Sequence, residues 1–276
     1  MALQRPLRII TYLAPSIPQR FYQAIAERLG ERLGTRAKLV VEERVSGPSL
    51  QDDPFEINNA DVGFMCAPSL VLLRESRRPS IELLPLAPVF TDERAVGKPL
   101  YFSDVVVHRD SDITHFEQLR GRTWAYNDAR SLSGWHCALE QLRTMRRGSE
   151  FFSSTVASGS HHESLRLVNE GLVDAAAIDS TVLAIERHLH PSSAARFRII
   201  ESWGPWPVQP VVVRASLEDA TKAIIIEALA ELHRSKAMDA MIGIPFECFA
   251  SVTYDDYTAA PAVVEAARMM GAGEHH

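Results

Sequence analysis

The chain of 276 residues carries 35 acids against 29 lysines and arginines, a formal charge of -6, with 46% hydrophobic and 23% charged residues. That length and apolar share suffice for the core of two α/β lobes or one large one, and exclude disordered or collagen-like sequence. An acidic balance without a Lys/Arg run leaves no electrostatic footprint for nucleic acid or an anionic membrane, and no stretch reaches the roughly 18–20 apolar residues of a membrane span.

The first ninety residues alternate strand and helix. Leu7 to Tyr12 reads as a strand, entered within ten residues of the start without the apolar segment of a secretion signal, which leaves a cytoplasmic location open. Ser16 is the expected N-cap of a helix carrying Phe21, Ile25 and Leu29 at helical spacing up to Gly30. Lys38 to Val41 and Asp61 to Met65 give two more strands, Pro68 to Arg74 a short helix, and Ile81 to Phe90 an apolar run. Such alternation argues for a mostly parallel sheet whose ligands sit at the carboxyl ends of strands.

A second α/β series opens at Ser103, with strands at 104–107, 123–126, 155–157, 175–178 and 197–201. Its helices are expected at 133–146, 163–170 and 181–188. Trp203 to Pro210, rich in Gly and Pro, punctuates the chain before a strand at 211–213. Helices at 217–234, 238–242 and 259–270 complete the tail. Crossings near 91–102 and 202–210 imply a discontinuous first lobe, 1–100 with 205–276, and an inserted second lobe, 101–204. The cleft between them is the default binding site, and two crossing strands make a hinge that closes on a ligand.

Three segments could carry chemistry. Ser131 and Ser133 stand just past a strand at the start of a helix, where unpaired amides and hydroxyls suit an oxyanion; plain N-capping is the alternative. His161 occupies the same position before the next helix, where a neutral imidazole could donate to an oxyanion or merely cap. Asp179 follows a buried strand, as an N-cap or as an acceptor for a ligand proton. Tyr12 and Ser69 lie in the equivalent loops of the first lobe, facing the second. The signatures GxSxG, HExxH, P-loop and GxGxxG are missing, so the sequence offers neither a cofactor nor a metal motif. Cys66, Cys137 and Cys248 are too scattered for a disulfide framework, leaving one pair and one free thiol open.

Taken in order, Asp61-Val-Gly-Phe with Ala67-Pro-Ser69, Tyr101-Phe-Ser-Asp-Val-Val-Val, Phe116-Glu-Gln-Leu-Arg-Gly121, Ser131-Leu-Ser-Gly134, Ser158-Gly-Ser-His161 with Ser164, Gly171 to Asp179, and Gln209-Pro210 carry a family resemblance. The chain resembles the phosphate/phosphite/phosphonate substrate-binding proteins of ABC transporters, which have the two-lobe type II periplasmic-binding-protein fold. The resemblance implies that Ser131, Ser133 and nearby amides hold phosphoryl oxygens, that His161 donates from the adjacent helix start, and that Tyr101 closes from the crossover. Leu132 stands where relatives often carry Thr and removes one donor. Gln209 stands where aminophosphonate binders carry an acid, which counts against an ammonium-bearing ligand. The partners implied are a small-molecule anion and an ABC permease, and the location periplasmic or extracellular. Two other classes stay open on the same fold: a cytoplasmic enzyme of cofactor biosynthesis, with His161 or Asp179 as acid or base, and a small-molecule sensor.

Overall fold

The computed structural model describes residues 5–234 and 241–273. In the first sheet, β1 (Leu7–Thr11), β2 (Ala37–Val41) and β3 (Val62–Phe64) are parallel, joined by α1 (Gln19–Leu33) and a loop; α2 (Ala67–Arg74) follows β3 and leads to β4 (Ile81–Leu83). The order is β2-β1-β3-β11-β4, with β11 (Val211–Arg214) returning antiparallel to β3 and β4. β1 and β3 are central and almost wholly buried, whereas β2, at the edge, alternates between partly buried and exposed residues. A two-stranded ribbon of β5 (Leu86–Phe90) and β12 (Phe246–Ser251) extends this lobe.

The second sheet runs β10-β6-β9-β7-β8, formed by β6 (Leu100–His108), β7 (Thr123–Tyr126), β8 (Ser154–Ala157), β9 (Ala175–Asp179) and β10 (Phe197–Pro207). β9 shows how sequence fixes two faces. Ala175 and Ala177 turn toward Val105, Phe116, Trp124 and Phe152, while Ala176 and Ile178 turn toward Leu165, Val168 and Val182. Period-two alternation thus gives a sheet apolar on both sides, covered by α3 (Cys137–Thr144) on one and by α4 (His161–Asn169) and α5 (Ser180–Leu189) on the other. α6 (Pro191–Ala194) leads into β10; α7 (Asp219–Ala230), α8 (Tyr254–Thr258) and α9 (Pro261–Gly273) close the chain.

Most expected elements form, with instructive differences. Ser16 does not cap α1; the helix starts at Gln19 after Pro18, whose extended backbone stands at the cap position. The expected helix at 133–146 begins as a π-helical turn, Leu132–His136, before becoming α3. The run 81–90 is two strands, and β10 continues to Pro207 through a bulge between Trp203 and Trp206 rather than ending near Glu201. β12 is an additional strand, the tail helix expected at 259–270 forms from Pro261 and is preceded by the short additional helix α8, and most of the helix expected at 238–242 lies outside the described residues. All three cysteines are free thiols. No described helix is long and apolar enough to cross a membrane.

Candidate functional site

The carboxyl ends of β7, β8 and β9 each feed a helix start, and side chains cap all three. Ser131 Oγ accepts from Gly134 N at 3.1 Å, Ser160 Oγ from Glu163 N at 3.1 Å, and Asp179 Oδ1 from Thr181 N at 2.7 Å. Capping and ligand binding are therefore not alternatives here, because each cap leaves other first-turn amides without a partner inside the helix. The π turn widens the start of α3: the carbonyls of Ser131 and Leu132 accept from His136 and Cys137, five residues on. Gly134 is required within it, since a Cβ there would stand 1.8 Å from Asn127 Oδ1. The turn is held from below by Ser103 Oγ, which donates to the Ser133 carbonyl at 2.7 Å.

These starts converge. Ser133 Oγ lies 3.3 Å from His161 Nε2, both side chains being buried, at one end of a cavity of about 40 Å³. With roughly 10–15 Å³ needed for one water, that is room for a small oxyanion. Tyr12, Ser46 and Cys66 of the first lobe and Gln209 of the crossover complete the wall with Asn127, Asp128 and Asp179. No Lys or Arg lines this cavity among the described residues, whereas Glu43, Asp128 and Asp179 do.

The two lobes are in direct contact across the cleft. Arg130 donates to the Gly47 carbonyl at 2.9 Å and to Asp52 Oδ2 at 3.1 Å, Ser46 Oγ bonds Asp128, and Leu132 N donates to Cys66 Sγ at 3.4 Å. Leu132 also joins the apolar cluster of the first lobe, as do Tyr101, Cys137 and Ile185. The structure is a closed one.

Burial sets the protonation of the site. His161 is held down at about 3 by burial and by His162, so its ring is neutral and offers one N–H and one lone pair. Asp179 is pushed up to about 7 by burial, against the opposing bonds from Thr181 and Gln209 Nε2. It is thus a carboxyl that can be neutral beside an anion. Burial raises the Cys66 thiol to about 12 and the Tyr12 phenol well above its ordinary value, so both are protonated hydrogen-bonding groups.

Of the residues singled out in the sequence, Tyr12, Ser131, Ser133, His161, Asp179 and Gln209 come together around the cavity. Ser69, Tyr101 and Leu132 do not line it. The Ser69 hydroxyl is buried under Gly47 with no hydrogen-bond partner among the described residues, the Tyr101 phenol is buried behind Ser133, and Leu132 is an apolar plug between the lobes. Ser46, Asn127, Asp128 and Glu43 line the wall in addition, from loops without periodic pattern. Asn127 and Asp128 could have been found from their place at the carboxyl end of β7.

Over residues 8–257 the sequence matches the family described as ABC transporter, phosphonate, periplasmic substrate-binding protein. The chain belongs to this family. Among solved structures, this family member is similar to a binding protein component of an ABC phosphonate transporter from Pseudomonas aeruginosa, with a TM-score of 0.80 at 15% identity, over 98% of this chain and 89% of that one. It is similar also to PhnD1 from Prochlorococcus marinus in complex with methylphosphonate, with a TM-score of 0.78 at 14% identity, over 97% and 99%. The periplasmic aliphatic sulphonate binding protein SsuA from Escherichia coli is more distant, with a TM-score of 0.62 at 14% identity, over 99% and 88%. These likenesses show the two-lobe type II periplasmic-binding-protein fold. No curated protein sequence matches the chain.

Proposed function

We propose that this substrate-binding protein captures a small phosphonate-type oxyanion between its lobes and presents it to the permease of an ABC transporter on the periplasmic or extracellular side of the membrane. The observation that carries the proposal is the buried Ser133–His161 pair, 3.3 Å apart, at two converging helix starts on a cavity the size of one small oxyanion. Hydroxyls, a neutral imidazole and first-turn amides stabilise an anion by dipoles alone, which suits reversible capture. Ser131 acts through the cap, Ser133 and His161 donate to phosphoryl oxygens, Tyr12 donates from the first lobe, and Asp179 shares a proton with a P–OH group. The division at 100 and 205 is supported by the sheets, since β1–β4 and β11 form one and β6–β10 the other.

Calorimetric titration with methylphosphonate, phosphite, phosphate and sulfate, with phosphorus NMR of the recovered ligand, tests this. One phosphorus oxyanion should bind at micromolar affinity or better and be recovered unchanged. No binding of any of them, or conversion of the ligand, would reject it.

A further inference from the structure

β6 and β10 cross between the lobes as an antiparallel pair, with Trp206 opposite Tyr101 and Pro207 opposite Leu100. Pro99, Pro205 and Pro207 offer no N–H to a further strand, and beside them lies a hollow of about 580 Å³. The rest of its wall comes from the first lobe, with Val252 just after β12, Ala260 between α8 and α9, and Pro261 at the start of α9. The hollow shares the crossing segments with the oxyanion cavity. Leu100, in its wall, precedes Tyr101, whose phenol is buried behind Ser133, and Pro207 stands two residues before Gln209 of the cavity wall.

Small-molecule pockets of about 300–1,000 Å³ are mostly apolar, with a few polar groups that fix orientation. This hollow has that character: Leu100, Trp206, Pro207, Val252, Ala260 and Pro261 make its apolar wall. The polar groups favour one sign of charge. Lys98 has no ion pair or hydrogen bond through its ammonium among the described residues, and the buried indole N–H of Trp206 has no acceptor there. The one carboxylate in the wall, Asp256, is taken up by the cap of α8, where its Oδ2 accepts from Thr253 N and Oγ1 at 2.6 and 2.9 Å. Two donors short of an acceptor beside an apolar wall are complementary to a ligand with an apolar body and one anionic acceptor.

We propose that this hollow is a second ligand site, that it takes an apolar monocarboxylate, and that filling it favours closure of the cleft. Its wall joins the ends of β6 and β10, which belong to the second sheet, to parts of the first lobe, so its shape depends on the hinge. The hollow is formed in the closed structure, and a ligand that fits it there binds that form best and shifts the population toward it. Recognition of the carboxylate does not rest on the oxyanion reading above.

Calorimetric titration with 3-phenylpropionate and its uncharged analogue 3-phenylpropanol tests the site. The acid should bind about three- to fivefold more tightly than the alcohol, the worth of one solvent-facing charge pair, and that ratio should fall to near one in Lys98→Gln. Ala259→Trp, which fills the hollow from an exposed position, should abolish binding of both and keep the melting temperature of the unaltered protein. Saturating 3-phenylpropionate should raise methylphosphonate affinity about fivefold, and saturating methylphosphonate should raise that of 3-phenylpropionate by the same factor. No binding of the acid, equal binding of the alcohol, binding kept in Ala259→Trp, or an unchanged methylphosphonate affinity overturns the proposal. If methylphosphonate itself does not bind, the oxyanion reading falls, and closure is read instead by small-angle scattering of Arg130→Ala. The acid should lower the radius of gyration of that variant; an unchanged radius overturns the proposal.

Discussion

Ser133 Oγ and His161 Nε2 lie 3.3 Å apart although they belong to different helices, 28 residues apart in sequence. Each is the first polar side chain past a cap, so the pair is positioned by backbone rather than by its own contact. Replacing Ser133 or His161 with Ala should each weaken phosphonate binding by about 1–3 kcal/mol, the cost of leaving a charged acceptor short of one donor. Because the two share one oxyanion, the double variant should lose less than the sum. Calorimetric affinities that do not change in either single variant would remove both residues from the site.

The framework of this site was legible, and its closure was not. Thr123–Tyr126 and Ala175–Asp179 announce themselves as short apolar runs followed at once by polar residues, and Ser133, His161 and Asp179 follow from the rule that ligands gather where strands end. Leu132 reads in the sequence as a lost donor, whereas the contact its side chain makes between the lobes is one that no local pattern encodes. The same holds for the meeting of Ser46 and Glu43 of the first lobe with Asp128 of the second at one cavity wall. β12 was missed because its one partner, β5, lies some 160 residues earlier in the chain, and strand pairing at such range leaves little mark on local sequence.

Asp179 makes binding depend on pH. With its carboxyl at about 7, the unliganded site is neutral there below that pH and negative above it, and a bound anion favours the neutral form. Affinity should be level below pH 7 and fall above it, by up to about tenfold per pH unit, as binding comes to require proton uptake. The ratio of affinities between the unaltered protein and Asp179→Asn, taken with one ligand, cancels the ligand's own ionisation. A ratio constant from pH 6 to 9 would contradict the assignment.

The same carboxyl should leave a mark on stability. Between the ordinary aspartate value and about 7 the folded chain keeps a proton that the unfolded chain has lost, so stability contributed by this group declines as pH rises through that window. His161, held down to about 3, acts in the opposite sense: the unfolded chain takes up a proton first as pH falls below about 6.5, so stability declines toward acid. Melting curves of Asp179→Asn should therefore gain on the unaltered protein as pH rises from 4 to 7 and hold that gain above. A difference that stays level or shrinks over this range would show that the carboxyl is ionised throughout.

Arg130 reaches from the second lobe to the Gly47 carbonyl and Asp52 of the first, and its removal takes two cross-cleft bonds from the closed form without touching the cavity wall. Arg130→Ala should shift the unliganded protein toward the open form and weaken ligand binding by about 1 kcal/mol, since the binding-competent population falls. Small-angle scattering should show a larger radius of gyration for the unliganded variant that returns to the unaltered value at saturating phosphonate. An unchanged radius without ligand would mean that apolar contacts such as those of Leu132 hold the cleft shut by themselves.

Gly134 ties the geometry of the oxyanion site to one missing atom. A Cβ there would stand 1.8 Å from Asn127 Oδ1 and 3.2 Å from Ser131 Oγ, so a side chain must push both the cap and the cavity wall aside. Gly134→Ala should cost about 1–3 kcal/mol of stability by overpacking, and should reduce phosphonate affinity further than that loss of stability explains, because the Ser131 cap that shapes the turn is displaced. Adding Asn127→Ala removes the side chain that the new methyl meets and should restore the melting temperature, whereas affinity should recover only in part, since Asn127 itself lines the cavity. Restoration of neither would place the conflict in the backbone of the π turn instead of at Asn127.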